Sequence, residues 1–279
     1  MGFDTWQNKL KLTIDSSKID EDLTNFPILV ALSSGTGITN YDATDVFDQL
    51  EPNTISGVAV SGTYDDYTKL MLHMDGDFSD SQHTVTIHGN PKSYSSEGVF
   101  SGSMRFDGTG DYLQITDSSD WYLSGDFTVD MRIKFTAFTY YLVTQYEDAD
   151  NRWYFVFDVG TTGLAFKWKN DGDLYEAKQG DTTGWSLNTW YHVAAVLHGS
   201  ELKVYRDGIT IASGTVGENP DNYNGDLYIG QRGSDEYYLN AYIDELRISK
   251  GIARWTSNFT PPTEPYTTDS GTVLLLHMD

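Results

Sequence analysis

The chain has 279 residues and sets 41 Asp plus Glu against 18 Lys plus Arg, a formal charge of −23. That balance argues against a phosphate-backbone partner, which needs a basic patch, and against anionic membrane surfaces. No cysteine is present, so neither disulfides nor thiolate metal sites hold the fold, while 19 Tyr, 13 Phe, 7 Trp and 26 Gly suit pleated sheets joined by tight turns.

Residues 1–60 read as a small β-rich docking unit. Leu10, Leu12 and Ile14 alternate with Lys11 and Thr13, the pattern of a half-buried strand. Residues 26–32 are an apolar strand with Pro27 near its start, where a missing N–H matters least. Asp42 is placed to cap one short helix over residues 43–50, burying Val46, Phe47 and Leu50. Two strands and a helix make a poor core alone, so this unit is expected to dock on something. Residues 51–62, with Pro52, Gly57 and Gly62, are the expected linker. The first ten residues lack an apolar h-region, so no signal peptide is expected, and no segment approaches the ~20 apolar residues of a membrane span.

Residues 63–268 read as strand, turn, strand, the signature of an antiparallel β-sandwich or jelly roll. Phe127, Val129, Met131, Ile133 and Phe135 alternate with Thr128, Asp130, Arg132 and Lys134, which predicts one core face and one wet face. Trp153, Phe155, Phe157 and Val159 repeat the signal, as do Leu164, Phe166 and Trp168. Asp207-Gly208 stands between the runs at 202–206 and 209–212; this pair tolerates the positive φ of a type I′ turn and predicts a hairpin.

Leu70-Met71-Leu72-His73-Met74-Asp75 recurs as Leu274-Leu275-Leu276-His277-Met278-Asp279. The interval of roughly 204 positions is about the size of one large sandwich domain.

Several blocks in order resemble the laminin-G-like jelly rolls of the concanavalin A-like lectin/glucanase fold. They are residues 70–76, Phe106-Asp107-Gly108-Thr109-Gly110-Asp111-Tyr112-Leu113, Ser124-Gly125-Asp126-Phe127-Thr128-Val129-Asp130, Asn188-Thr189-Trp190-Tyr191-His192-Val193-Ala194, and 242–248 running on to Phe259-Thr260-Pro261-Pro262. The closing block is similar to copies in phage tail and virion proteins. Residues 6–32 resemble the first part of a β-rich domain of unknown function that often accompanies such jelly rolls.

The resemblance implies opening and closing strands that are neighbours, so residues 70–75 are expected beside 242–248. The repeat at 269–279 is then expected as the opening strand of a further domain, or as a strand completing a neighbouring protomer's sheet. The resemblance also implies a structural Ca²⁺ held by Asp75, Asp80 and Asp244; the alternative is that these residues only shape turns and cap strands.

The same fold hosts glycoside hydrolases that place paired carboxylates on one strand in Glu-x-Asp-x-x-Glu. The nearest match is Asp171-Gly172-Asp173-Leu174-Tyr175-Glu176, where turn residues point to a hairpin, so no catalytic residue is expected. His73, His192 and His277 lie in apolar strands and are expected as satisfied core residues. Tyr140, Tyr141, Tyr146, Trp153, Trp185, Tyr237 and Tyr238 fall in or beside loops, where an exposed ring can hold a sugar; each fits the core equally, so none is assigned.

The expected function is a non-catalytic structural or adhesion module on a phage or virus particle surface, as capsid decoration, fibre or tail protein, contacting other virion proteins or cell-surface glycans and forming a homo-oligomer. Virion release by lysis needs no export signal. The second reading is a carbohydrate-binding lectin module of a secreted bacterial surface protein, and the third is a glycoside hydrolase. Neither nucleic-acid binding nor membrane insertion is expected.

Overall fold

Alternation of large apolar residues with polar ones, broken by glycine-bearing turns, builds two stacked sheets here. The computed structural model describes residues 71–73, 83–94, 97–100, 102–138, 141–158, 162–233, 237–265 and 272–277, with backbone alone for the first and last of these. The chain divides into two compact units, Met1–Ser61 and Gly62–Asp279. The small unit expected over residues 1–60, its helix included, lies outside the described residues.

The nine-stranded sheet contains β1 (Met71–His73), β3 (Lys92–Tyr94), β4 (Ser103–Asp107), β6 (Phe127–Phe135), β11 (Trp190–His198), β12 (Glu201–Arg206), β13 (Ile209–Thr215), β15 (Asn240–Lys250) and β16 (Thr272–His277). Its path runs β1-β16-β15-β6-β11-β12-β13, with β4 also on β15 and β3 on β4. The seven-stranded sheet has β2 (Val85–His88), β5 (Tyr112–Ile115), β7 (Tyr141–Tyr146), β8 (Arg152–Asp158), β9 (Gly163–Asn170), β10 (Asp173–Lys178) and β14 (Asp226–Ile229). Its order is β10-β9-β8-β7-β14-β5-β2, and every pair in it is antiparallel.

The inner faces meet in an aromatic core. Phe127, Val129, Met131, Ile133 and Phe135 are all fully buried, as their alternation predicts. Phe127 meets Phe166 at 5.3 Å and Phe135 meets Phe157 at 4.8 Å, across the two sheets. Burying each such side chain is worth about 1.5–3 kcal/mol, enough in sum to hold a fold without crosslinks. Trp153 donates its indole N–H to the Trp121 carbonyl at 3.1 Å, and Trp121 donates to the Thr116 carbonyl at 3.1 Å, so these rings are buried without stranding a polar atom. The Asp207-Gly208 hairpin forms as predicted, with φ of 50° and 76° at the two turn residues.

The other face of β6 is not uniformly wet. Thr128, Asp130 and His192 are fully buried there, because residues 251–262 run back across β6, β11 and β12 as a strap. Thr128 Oγ1 donates to the Ile252 carbonyl and accepts the Arg254 N–H, so one hydroxyl ties the strap down twice. The Trp255 and Phe259 rings stack at 3.9 Å, and both stand edge-on to His192. Arg132 and Lys134, further along β6, stay partly exposed on this face.

One expectation is corrected. Residues 242–248 do not pair with the opening strand: β16 intervenes, antiparallel to β15 with Leu246 opposite Leu276, and β1 pairs with β16 in parallel. The repeated segment is therefore neither isolated nor outside this sheet. Two strands of nearly the same sequence fit the same sheet edge, and apolar alternation alone does not say which takes it.

Candidate functional site

On the seven-stranded sheet the core takes Leu113, Ile115, Val143, Trp153, Phe155, Phe166, Trp168, Ala177, Leu227 and Ile229, so alternation turns their neighbours outward. Register then aligns Glu176, Lys167, Tyr154, Thr144, Tyr228, Gln114 and Thr86 in one row across all seven strands. Aromatic rings flank the row. His88 and Tyr112 stack at 4.2 Å with planes 5° apart, and Tyr238 lies over Tyr112 at 6.1 Å. Tyr141 packs against Tyr154 at 5.6 Å and against Tyr237 at 5.9 Å, and Tyr237 is 43% exposed.

Polar groups between the rings are held in fixed directions. Gln114 Oε1 accepts from His88 Nε2 at 2.9 Å, while its Nε2 donates to Asp226 Oδ2 at 2.6 Å. Glu176 bridges Lys167 at 3.1 Å and Lys178 at 2.5 Å. Arg152 spreads over Tyr154 at 5.3 Å and Tyr146 at 5.8 Å, and its Nε is buried with no hydrogen-bond partner among the described residues. The Thr144 hydroxyl, between Tyr154 and Tyr228 in the row, is in the same condition.

Burial pushes the Tyr154 hydroxyl up to about 12, against the opposing pull of the Arg152 charge, and raises Tyr141 for the same reason. Both phenols therefore keep their protons at neutral pH and can donate. Rigid rings with fixed donors and acceptors beside them are the chemistry that stacks on a sugar's C–H face and bonds its hydroxyls.

Of the aromatic candidates in the sequence, Tyr141, Tyr146, Tyr237 and Tyr238 come to this face, while Trp153 and Trp185 are core residues and Tyr140 lies outside the described residues. Sequence reasoning missed Tyr112, Gln114, Tyr154 and Tyr228. Each is the off-beat residue of an alternating strand, a signal that was present, but only strand order reveals that they share one face.

The pseudo-catalytic segment forms the β9–β10 hairpin. Asp171 and Gly172 are its turn, with φ of 49° and 95°, and Asp173 opens β10 opposite Asn170. Asp171 thus lies off the strand that carries Glu176, and Glu176 is engaged by two lysines.

For the implied cation, Asp75 and Asp80 lie outside the described residues. Asp244 is fully buried at a bulge of β15 against β6, where Glu245 takes φ of 53°, and its Oδ2 accepts the Val99 N–H at 2.7 Å. Among the described residues no three His, Asp or Glu converge as a metal site.

Two antiparallel sheets around one aromatic core, one of them presenting a tyrosine-lined face, define a lectin-like sandwich. Residues 107–254 match the concanavalin A-like lectin/glucanases superfamily, and the chain belongs to that family. It is similar to domain 4 of AbnA, a GH43 extracellular arabinanase from Geobacillus stearothermophilus, solved in complex with arabinotriose. The TM-score is 0.55 at 19% identity, covering 67% of this chain and 95% of that one. It is similar to the binding domain of Paraclostridial Mosquitocidal Protein 1, with TM-score 0.52, 16% identity, and 65% and 48% of the two chains covered. The enzymatically active domain of bacteriophage CBA120 tailspike protein 2 superposes with TM-score 0.50 at 12% identity, over 71% of this chain and 33% of that one. Curated proteins give no match.

Proposed function

We propose that this chain is a non-catalytic glycan-contacting module, carried on the surface of a phage or virus particle. The observation that carries the reading is the outward face of the seven-stranded sheet, where Tyr112 packs against Tyr228 and Tyr238, Tyr141 packs against Tyr237, and the Gln114–Asp226 hydrogen bond lies beside Tyr228. Such a face stacks sugars without needing a nucleophile or an acid. The hairpin position of Asp171 and the ion-paired state of Glu176 favour binding over hydrolysis.

The fold is shared with an arabinanase domain seen with arabinotriose and with part of a phage tailspike, which supports a saccharide ligand and a particle setting. The acidic surface keeps such a module soluble at high local concentration. A glycan array on the full chain, followed by titration of any hit against Tyr237→Ala and Tyr112→Ala, tests the reading. Reproducible binding that these substitutions weaken supports it; an array without hits contradicts it.

A further inference from the structure

A second row crosses the outward face of the nine-stranded sheet, beyond the reach of the strap. Register places Lys92 opposite Arg105, Arg105 opposite Tyr242, Tyr242 opposite Lys134, and Lys134 opposite Trp190. Five strands at the usual spacing make this row about 19 Å long. Cations and rings interlock along it. Lys134 sits over Tyr242 at 4.2 Å and over Trp190 at 5.3 Å, Arg105 lies over Tyr242 at 5.2 Å, and Tyr94 meets Tyr242 edge-on at 5.7 Å.

The charges in this row are unusual for the chain. Lys92 and Arg105 are like charges directly opposed across an antiparallel pair, an arrangement that costs stability unless something offsets it. Arg105 spends its donors on the Asn240 Oδ1 at 2.6 Å and the Ala241 carbonyl at 3.5 Å, both uncharged acceptors. Among the described residues neither Lys92 nor Arg105 has a carboxylate partner, although acids outnumber bases 41 to 18. Lys134 alone is paired, to Glu97 at 2.6 Å.

Lys92 and Arg105 also line one pocket of about 280 Å³ together with Asn90, Tyr94, Asp107 and Asp111. The two aspartates there are turned to backbone. Asp111 accepts the Asn90 N–H at 2.6 Å and the Asp107 N–H at 3.1 Å, and Asp107 accepts the Thr109 N–H at 2.7 Å. Both carboxylates keep their charge, and Lys92 and Arg105 are the two cationic groups that line the pocket with them, beside the exposed Tyr94 ring.

We infer that this row is a second binding site, for an anionic saccharide. Its acid group would sit between Lys92 and Arg105, and its sugar rings would lie along Tyr94, Tyr242 and Trp190. An anion there relieves the opposed like charges, and the exposed Tyr94 ring, with the edges of Tyr242 and Trp190, supplies apolar contact for a sugar. The site is separate from the tyrosine face, so either can fail without the other.

The test is titration of the full chain with a carboxylated probe, oligogalacturonate, a sulfated probe, a heparin-derived oligosaccharide, and a neutral galacto-oligosaccharide. Binding to one or both anionic probes is expected, weakening as salt is raised. Lys92→Gln combined with Arg105→Gln is expected to lower that affinity about tenfold or more, while Tyr237→Ala leaves it unchanged. The Lys92 side chain is exposed and has no hydrogen bond or ion pair among the described residues, so Lys92→Gln alone tests the site with the strand pairing intact, and a several-fold loss is expected. If neither anionic probe binds, or if binding ignores both salt and these substitutions, the inference is overturned. Which anionic probe binds more tightly identifies carboxylate or sulfate as the natural group.

Discussion

The carboxylate of Asp130 and the guanidinium of Arg247 face each other in a two-pronged ion pair, at 3.0 and 2.9 Å, sealed beneath the strap on the side of the sheet away from the core. His192 Nε2 approaches the same carboxylate at 3.5 Å, and Trp255 closes over both partners. The Arg247 charge and the His192 contact outweigh burial and hold Asp130 well below the usual carboxylate range. Removing one partner of a buried pair leaves a charge uncompensated, so Asp130→Ala is expected to destabilise the domain by about 3–5 kcal/mol in urea unfolding. A loss below the range of an ordinary surface substitution would show that the pair is unimportant to the strap.

The same cluster sets a pH dependence. Burial lowers the His192 pKa below its ordinary value, so this ring is neutral in the fold and takes up a proton more readily when unfolded. Its contribution is full above about pH 6.5 and declines as pH falls. The Asp130 contribution is present above about pH 3.9 and is lost only in strong acid. Thermal midpoints are therefore expected to fall in two stages on acidification, and His192→Gln should remove the first. A wild-type midpoint that is flat from pH 7 to about 5 would contradict the assignment.

Gly208 supports the strap by having no side chain. A Cβ there would lie 1.9 Å from the Phe259 carbonyl oxygen, whose own N–H donates to the Gly208 carbonyl at 2.9 Å. With φ at 76° the residue is also costly to replace on conformational grounds. Gly208→Ala should cost more than about 1 kcal/mol and expose Trp255, visible as a red-shifted tryptophan emission. Unchanged stability and emission would mean that the strap does not rest on this turn.

Phe127 lies fully buried between the sheets, against Phe166 and Trp168. Truncating it to alanine should cost about 3–5 kcal/mol, because the surrounding rings close a cavity only in part. Denaturant midpoints of Phe127→Ala measure this directly, and a cost under the range for surface sites would place the register of β6 in error.

Much of the fold was legible because its signals are local. The alternation at 127–135 fixed which side of β6 is core, and Asp207-Gly208 announced its turn. What escaped depends on residues far apart in the chain. Asp130 looked like a solvent-facing residue until residues 251–262 folded over it, and no periodicity in β6 encodes that cover. The two copies of the Leu-x-Leu-His-Met-Asp segment are indistinguishable by pattern, so their places at the β15 edge could not be read. Tyr154, Tyr228 and Gln114 become one surface only through strand order.

Asp173 and Glu176 are expected to have no catalytic role. Asp173→Asn should leave saccharide binding unchanged and reveal no lost turnover on β-glucans or arabinan. A hydrolytic activity of the wild type that vanishes with this substitution would overturn the binding-module reading.

A saccharide is proposed to lie on the tyrosine face of the seven-stranded sheet. The most direct measurement is isothermal titration of the best glycan-array ligand into the wild type and into the double variant Tyr112→Ala/Tyr237→Ala. Loss of two stacking rings predicts a drop in affinity of about tenfold or more, with both free proteins folded at the titration temperature. Full affinity in a folded double variant would contradict the assignment of the site to this face.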